Sequence, residues 1–270
     1  MNSQDQLASR VKTSMNVFYR RYYRDQLGLV DWEARVENRL NEESWLGEPQ
    51  VSRVEDWRNL SFKGMKVLVV GAGTGAESVV LHQRGGEVHG IEPDADAIAI
   101  LQMKSELHGI PADRFQKAKA EEMPYEDNVF DFVYCYTVLE HVQNVEASIE
   151  EMIRVCKIMG TVYIQTPDYR FPYEGHYKTF RLPFSPKWLT HLQFWLEGKP
   201  VEFLKSINFV NPQMLDRCFL SVGLEAVKVT RQEYTEEIGE TSISWFSLWP
   251  MICSKIFRNQ NIFVQKLAPL

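Results

Sequence analysis

Hydrophobic positions change rhythm twice along this chain. Between residues 61 and 167, short β-branched runs alternate with helical periodicity. Strands are predicted at 66–70, 87–92, 114–118, 130–135 and 161–165, and helices at 76–84, 94–108 and 145–157. Pro93 and Asp94 are start signals for the second helix and Gly109 is its stop. The third places Ile149, Met152, Ile153 and Cys156 on one face. Strands separated by helices of this length form a parallel sheet with right-handed crossovers. Residues 1–60 are polar and aromatic, with helical stretches and no strand-like run. After 168 comes a segment rich in Pro and aromatics, then a helix at 212–221 closed by Gly223 and strands at 224–229 and 261–267. The order predicts a Rossmann-like, doubly wound α/β fold: a seven-stranded, mostly parallel sheet with an antiparallel last strand. Residues 1–60 would be a helical cap. Residues 61–270 would form the ligand-binding domain, with an insertion at about 168–210 on its acceptor side.

Composition narrows the functional classes. The formal net charge of −6 argues against a nucleic-acid substrate. The cysteines Cys135, Cys156, Cys218 and Cys253 are scattered without a C-x-x-C pair, which speaks against a metal cluster and fits a reducing cytoplasm. The N-terminus shows no apolar signal region. The longest uncharged apolar-rich run, 241–254, is too short to span a bilayer. A cytoplasmic protein with no transmembrane segment is expected. The aromatic stretch 245–252 reads first as a buried or homodimer contact, and second as a peripheral membrane contact.

The candidate chemistry begins at Gly71-Ala72-Gly73-Thr74-Gly75, which leaves the first strand and opens a helix. Glycines let a backbone turn tightly and approach a ligand, and the helix start offers free N–H groups. Glu92 ends the next strand, where a carboxylate can bind both ribose hydroxyls, and ligands of open α/β sheets collect at such strand ends. The loop alone admits a sulfonium nucleoside or a dinucleotide, since Gly71-x-Gly73-x-x-Ala76 also fits the dinucleotide fingerprint.

Further segments narrow the choice: Val67-Leu68-Val69-Val70 before the loop, Gly90-Ile91-Glu92-Pro93, Ala120-Glu121-Glu122-Met123-Pro124-Tyr125, Phe130-Asp131-Phe132-Val133, Val138-Leu139-Glu140-His141-Val142, and 160–167. In this order they resemble the class I S-adenosylmethionine (SAM)-dependent methyltransferases, near the type 11 group and the O-methyltransferases of ubiquinone biosynthesis. The resemblance covers about 61–167. It implies SAM as cofactor, with Gly71, Ala72, Gly73, Thr74 and Gly75 at its methionine end. Glu92 and Pro93 would lie at the ribose, Ala120 and Glu121 at the adenine, and Tyr136 at the floor near the sulfonium.

The chain departs from these relatives at three places. Lys119 stands where many carry an Asp that contacts adenine; Lys cannot accept that bond, so the backbone or Glu121 must. Thr137 stands where metal-using relatives carry a Glu three residues before the Glu-His pair, so no metal is expected. Lys157-Ile158-Met159-Gly160 replaces the usual Lys-Pro-Gly-Gly turn.

Methyl transfer to a hydroxyl needs alignment and a base, and His suits neutral pH. His141 lies after the fourth strand and His176 after the fifth, so both are catalytic candidates, with His176 slightly favoured. Tyr173, Glu174, Tyr177 and Lys178 share the His176 loop and are the substrate-binding candidates. Their polarity points to a small acceptor such as a sugar or glycan precursor. N- or C-methylation of another metabolite is the alternative; an NAD(P)-dependent oxidoreductase and a SAM-binding module without turnover are the non-methyltransferase readings. The segment 18–24, with Phe18, Tyr19, Arg21 and Tyr22, reads as a helix packed on the domain or as a lid over the site; stacking on nucleic acid is the weakest reading.

Overall fold

The structure is a computed structural model that describes residues 3–182, 185–223, 226–232 and 259–269. Helix α1 (Ser3–Arg20) runs into a π-helical turn (Arg21–Gln26), followed by α2 (Trp32–Arg39), a second π turn (Glu43–Gly47) and α3 (Glu48–Arg58). Then β1 (Lys66–Val70), α4 (Ala76–Gln83), β2 (Glu87–Ile91), α5 (Ala95–Leu107), β3 (Phe115–Gln116), β4 (Phe130–Tyr136), α6 (Val145–Val155) and β5 (Cys156–Pro167) alternate as expected. The insertion holds a small hairpin of β6 (Tyr173–Glu174) and β7 (Thr179–Phe180), then α7 (Lys187–Leu196) and α8 (Glu202–Ser206). Helix α9 (Pro212–Val222), β8 (Val227–Gln232) and β9 (Asn259–Lys266) complete the fold.

The seven-stranded sheet has the order β3-β2-β1-β4-β5-β9-β8. Strand β9 is antiparallel to both β5 and β8, and the other pairs are parallel. Strand order reverses between β1 and β4, which opens a crevice at the carboxyl ends of these strands.

Side chains alternate along each strand and split the core. One face sends Leu68, Val70, Val133, Cys135 and Ile164 against Ile149, Met152 and Ile153 of α6 and Leu215 and Phe219 of α9. The other sends Val67, Val69, Phe132, Tyr134 and Tyr163 against Val51 and Val54 of α3. A third cluster joins distant parts of the chain: Val11, Met15, Tyr19 and Tyr23 pack with Ile100 of α5 and with Tyr169, Tyr177, Phe194 and Leu204 of the insertion. This cluster forms the roof above the crevice.

Strand β5 begins earlier than expected. The unusual turn before Gly160 is absorbed as an irregularity against β4, with Met159 in the left-handed region at φ +68°. A Cβ at Gly160 would lie 2.9 Å from Asp131 O, so glycine is needed there. Cys135, Cys156 and Cys218 are buried free thiols. Cys253 and the aromatic stretch 245–252 lie outside the described residues. No described helix is long and apolar enough to cross a membrane.

Candidate active site

The glycines at the end of β1 have separate tasks. All three have positive φ: +64° at Gly71, +53° at Gly73 and +100° at Gly75. A Cβ at Gly71 would meet Val138 Cγ2 at 2.5 Å, and one at Gly75 would meet Leu101 Cδ1 at 2.4 Å. These two let the loop pack on the protein. At Gly73 nothing lies within 4 Å, so its open side is the one that a ligand can approach. Glu92 is nearly buried, and its carboxylate accepts the Gly73 N–H at 3.0 Å and the Asp94 N–H at 2.9 Å. Burial raises its pKa. Asp94 caps α5 by accepting from the N–H groups of Asp96 and Ala97.

A cleft of about 400 Å³ runs from this corner across the sheet edge. Gly71, Glu92, Pro93 and Asp94 line it from the ends of β1 and β2, and Thr137, Val138 and His141 from the loop after β4. Thr137 takes a left-handed φ of +52°, with its N–H on Gln165 O, and so turns the chain sharply into the cleft wall. Phe18, Arg21, Tyr22 and Gln26 come over the top from the N-terminal segment, and Phe203 and Ser206 come from α8. The segment 18–24 is thus both packed and part of the cleft: Tyr19 and Tyr23 are buried in the roof while their neighbours face inward.

At the acceptor end three titratable groups form a chain. His141 Nε2 lies 3.2 Å from His176 Nε2, and His176 Nδ1 lies 2.7 Å from Glu174 Oε1. Glu174 is fully buried, and its other oxygen accepts the Tyr177 N–H at 2.7 Å. Burial opposes its ionisation, but the bond to His176 prevails and lowers its pKa. An ionised Glu174 keeps the proton on His176 Nδ1. In the tautomer where His176 Nε2 accepts from His141 Nε2–H, His141 Nδ1 is the basic atom. Removal from water first, and His176 second, lower the pKa of His141 and keep it neutral. Phe203 encloses the pair, its ring centroid 5.7 Å from His141 and 5.2 Å from His176.

Glu140 sits behind His141 and is fully buried. Its Oε2 accepts from the Thr166 hydroxyl at 3.1 Å, while Oε1 has no hydrogen-bond partner. Burial pushes its pKa up to about 7. Ligand atoms of Glu140, His141 and His176 lie within 4.8 Å of one another. Such a set suits a divalent ion, but holding one would cost the direct bond between the imidazoles.

Several expected site residues have other partners. Thr74 is buried, and its hydroxyl bonds to Glu42 and Tyr19. Ala120 packs in the core. Glu121 Oε1 accepts from the N–H groups of Gln143 and Asn144 and so holds the start of α6. Tyr136 packs on the face of Tyr134, with ring centroids 6.4 Å apart. Tyr177 is buried, its hydroxyl donating to Pro200 O at 2.6 Å. Tyr173 pairs with Phe180 in the hairpin, and Lys178 is exposed. Of the loop residues proposed as acceptor contacts, Glu174 reaches the cleft only through His176 and His141. No local sequence signal marks Phe203, Ser206 or Asn208. Asn208 donates to Leu139 O and Val142 O and fixes the loop that carries His141.

Residues 68–164 match the methyltransferase domain family. The ubiquinone biosynthesis O-methyltransferase of Azoarcus sp. (strain BH72) is 29% identical over 182 residues, covering 66% of this chain and 73% of that protein. The protein of the same name from Pseudomonas entomophila (strain L48) is 36% identical over 110 residues, covering 40% of this chain and 46% of that one. Among solved structures, a putative SAM-dependent methyltransferase from Methanococcus maripaludis superposes with a TM-score of 0.54 at 15% identity, over 87% of this chain and 91% of that one. A SAM-dependent methyltransferase from Mesorhizobium loti gives 0.52 at 14% identity, over 82% and 96%. These two likenesses show the fold. The loop's choice between a sulfonium nucleoside and a dinucleotide falls to the former: residues 68–164 form a methyltransferase domain of class I type, whose cofactor is S-adenosylmethionine.

Proposed function

We propose that this enzyme methylates a hydroxyl oxygen on a flat ring, with His141 as the general base. The observation that carries the reading is the Glu174–His176–His141 chain ending on the cleft wall. A neutral imidazole whose far nitrogen is bonded to a second imidazole, backed by a buried carboxylate, can take a proton and share the resulting charge. The O-methyltransferase name of the matched relatives supports oxygen as the accepting atom.

SAM supplies an already activated methyl group. The open face of Gly73, the positive-φ turn around it and the Glu92 carboxylate fit its amino-acid and ribose parts. Pro93 would border the ribose. Thr74 and Ala120 contribute through main chain and packing. Phe18, Tyr22, Val138 and Phe203 make the remaining wall aromatic and apolar, and they exclude water from the reacting centre. These side chains suit the face of an aromatic ring better than a polyhydroxyl surface. The motive for a sugar acceptor weakens, because Tyr173, Tyr177 and Lys178 do not line the cleft. In this reading residues 1–60 cap the catalytic domain and 168–210 shape the acceptor side.

The test has two arms. Calorimetry should show binding of SAM and none of NAD. A panel of phenols, catechols, monosaccharides and amines should show transfer to phenolic oxygen. Turnover confined to sugars or amines would overturn the proposed acceptor, and NAD binding without SAM binding would overturn the cofactor.

A further inference from the structure

A buried network joins the N-terminal cap to the glycine loop. Glu42, between α2 and the second π turn, is 1% exposed, and Thr74 is 2% exposed. The Thr74 hydroxyl donates to Glu42 Oε1 at 2.5 Å. The Tyr19 hydroxyl lies 2.6 Å from Thr74 Oγ1 and 2.9 Å from Glu42 Oε2. Lys104 of α5 lies 2.6 Å from Glu42 Oε1 and 2.7 Å from Glu43 Oε1, and Arg39 lies 3.6 Å from Glu42 Oε2. The buried carboxylate is therefore paired on every side, the condition under which such a charge is tolerated. Close by, the cap backbone meets the start of α4: a Cβ at Gly47 would sit 2.6 Å from Ala76 O.

Thr74 is the one residue of Gly71-Ala72-Gly73-Thr74-Gly75 with a polar side chain. Three glycines at positive φ give the loop little stiffness of its own. Its one polar side chain is hydrogen-bonded to the cap, while the Gly73 N–H goes to Glu92. Tyr19, which makes one of them, is flanked by Phe18, Arg21 and Tyr22, which line the cleft.

We propose that Glu42 and Tyr19 are positioning residues that hold the SAM loop in its binding shape through the Thr74 hydroxyl, so that cofactor binding and seating of the N-terminal cap are coupled. A ligand that requires the loop's shape favours the seated cap, and the seated cap favours the ligand by the same factor. The inference rests on the glycine loop as the SAM site, not on the acceptor or the base.

The probe is S-adenosylhomocysteine, titrated by calorimetry into wild type, Thr74→Val, Thr74→Ser and Tyr19→Phe. Wild-type binding is measured first; its absence overturns the cofactor assignment itself. Thr74→Val keeps the volume and loses the hydroxyl, and should weaken binding by about tenfold or more. Thr74→Ser should stay within about threefold, because it keeps the donor. In wild type and the Ser variant, S-adenosylhomocysteine should slow amide hydrogen exchange across residues 3–26. In Thr74→Val that slowing should be lost at saturating ligand. Wild-type affinity in Thr74→Val, or no ligand effect on exchange in wild type, overturns the proposal. Should Thr74→Val fail to fold, Tyr19→Phe decides. It leaves the Glu42–Lys104 pair intact and should weaken both binding and exchange protection; no change in either overturns the coupling.

Discussion

At the end of the cleft proposed for the cofactor, the groups on offer are main-chain N–H groups and one carboxylate, all from residues 71–94. At the acceptor end they are side chains from four separate stretches: Phe18 and Tyr22, His141, His176, and Phe203. The first end is built from one short stretch of chain, three glycines at positive φ and a helix start, tied to the cap through the Thr74 hydroxyl. The second exists only once the roof has packed, because no two of its contributors share a secondary-structure element. A cofactor common to a large family can be held by a local motif, whereas an acceptor particular to one member must be recognised by an assembled surface.

The largest expected effect separates the two ends. His141→Ala should lower turnover by about 10²–10⁴-fold and leave SAM affinity near wild type; equal loss of both would mean that the ends are not independent. Next comes the group behind the base. Glu140 keeps its proton in the folded state up to about pH 7, whereas the unfolded chain loses it near the ordinary 4.5. Since the folded state then binds more protons, wild-type stability falls relative to Glu140→Gln as pH rises through that window. The gap should open by about 3 kcal/mol, read from urea unfolding of both proteins at pH 4.5 and 8. A gap that does not change with pH would contradict the raised value.

A smaller pair of effects probes the loop from within. Gly71→Ala strains a positive φ and drives a methyl into Val138, so it should cost about 2 kcal/mol or more in thermal or urea unfolding. Gly73→Ala meets no protein atom; it should cost about 1 kcal/mol and weaken SAM binding more than Gly71→Ala does per unit of lost stability. The smallest effect is expected from metal removal. With the imidazoles bonded to each other, dialysis against a chelator should leave methyl transfer unchanged. Loss of activity, restored by a divalent ion, would make Glu140, His141 and His176 ligands instead of a proton path.

The same contrast explains what the sequence disclosed. β-Branched runs and glycine stops located the five strands from β1 to β5 and the loop with Glu92, because those signals are local. Glu140 and His141 were visible through their place after β4. Phe203 was not, since its short helix has no periodicity to read and its partners, His141 and His176, lie in other segments. The β6–β7 hairpin is two residues per strand, below any usable period. The partner of the Thr74 hydroxyl is not legible from the glycine loop, because Glu42 lies 32 positions away. The bonds of Glu121 to the start of α6 likewise join positions more than 20 apart.

The third hydrophobic cluster has a consequence for how the chain is made. Residues 11–36 leave the ribosome early, yet Tyr169, Tyr177, Phe194 and Leu204, against which they pack, are translated much later. The apolar stripe of α1 can meet Ile100 of α5 early, but its cover from the insertion arrives only after β1 to β5, so full seating of the first helix is a late event of biogenesis. In pulse-labelled refolding its amides should be among the last to gain protection.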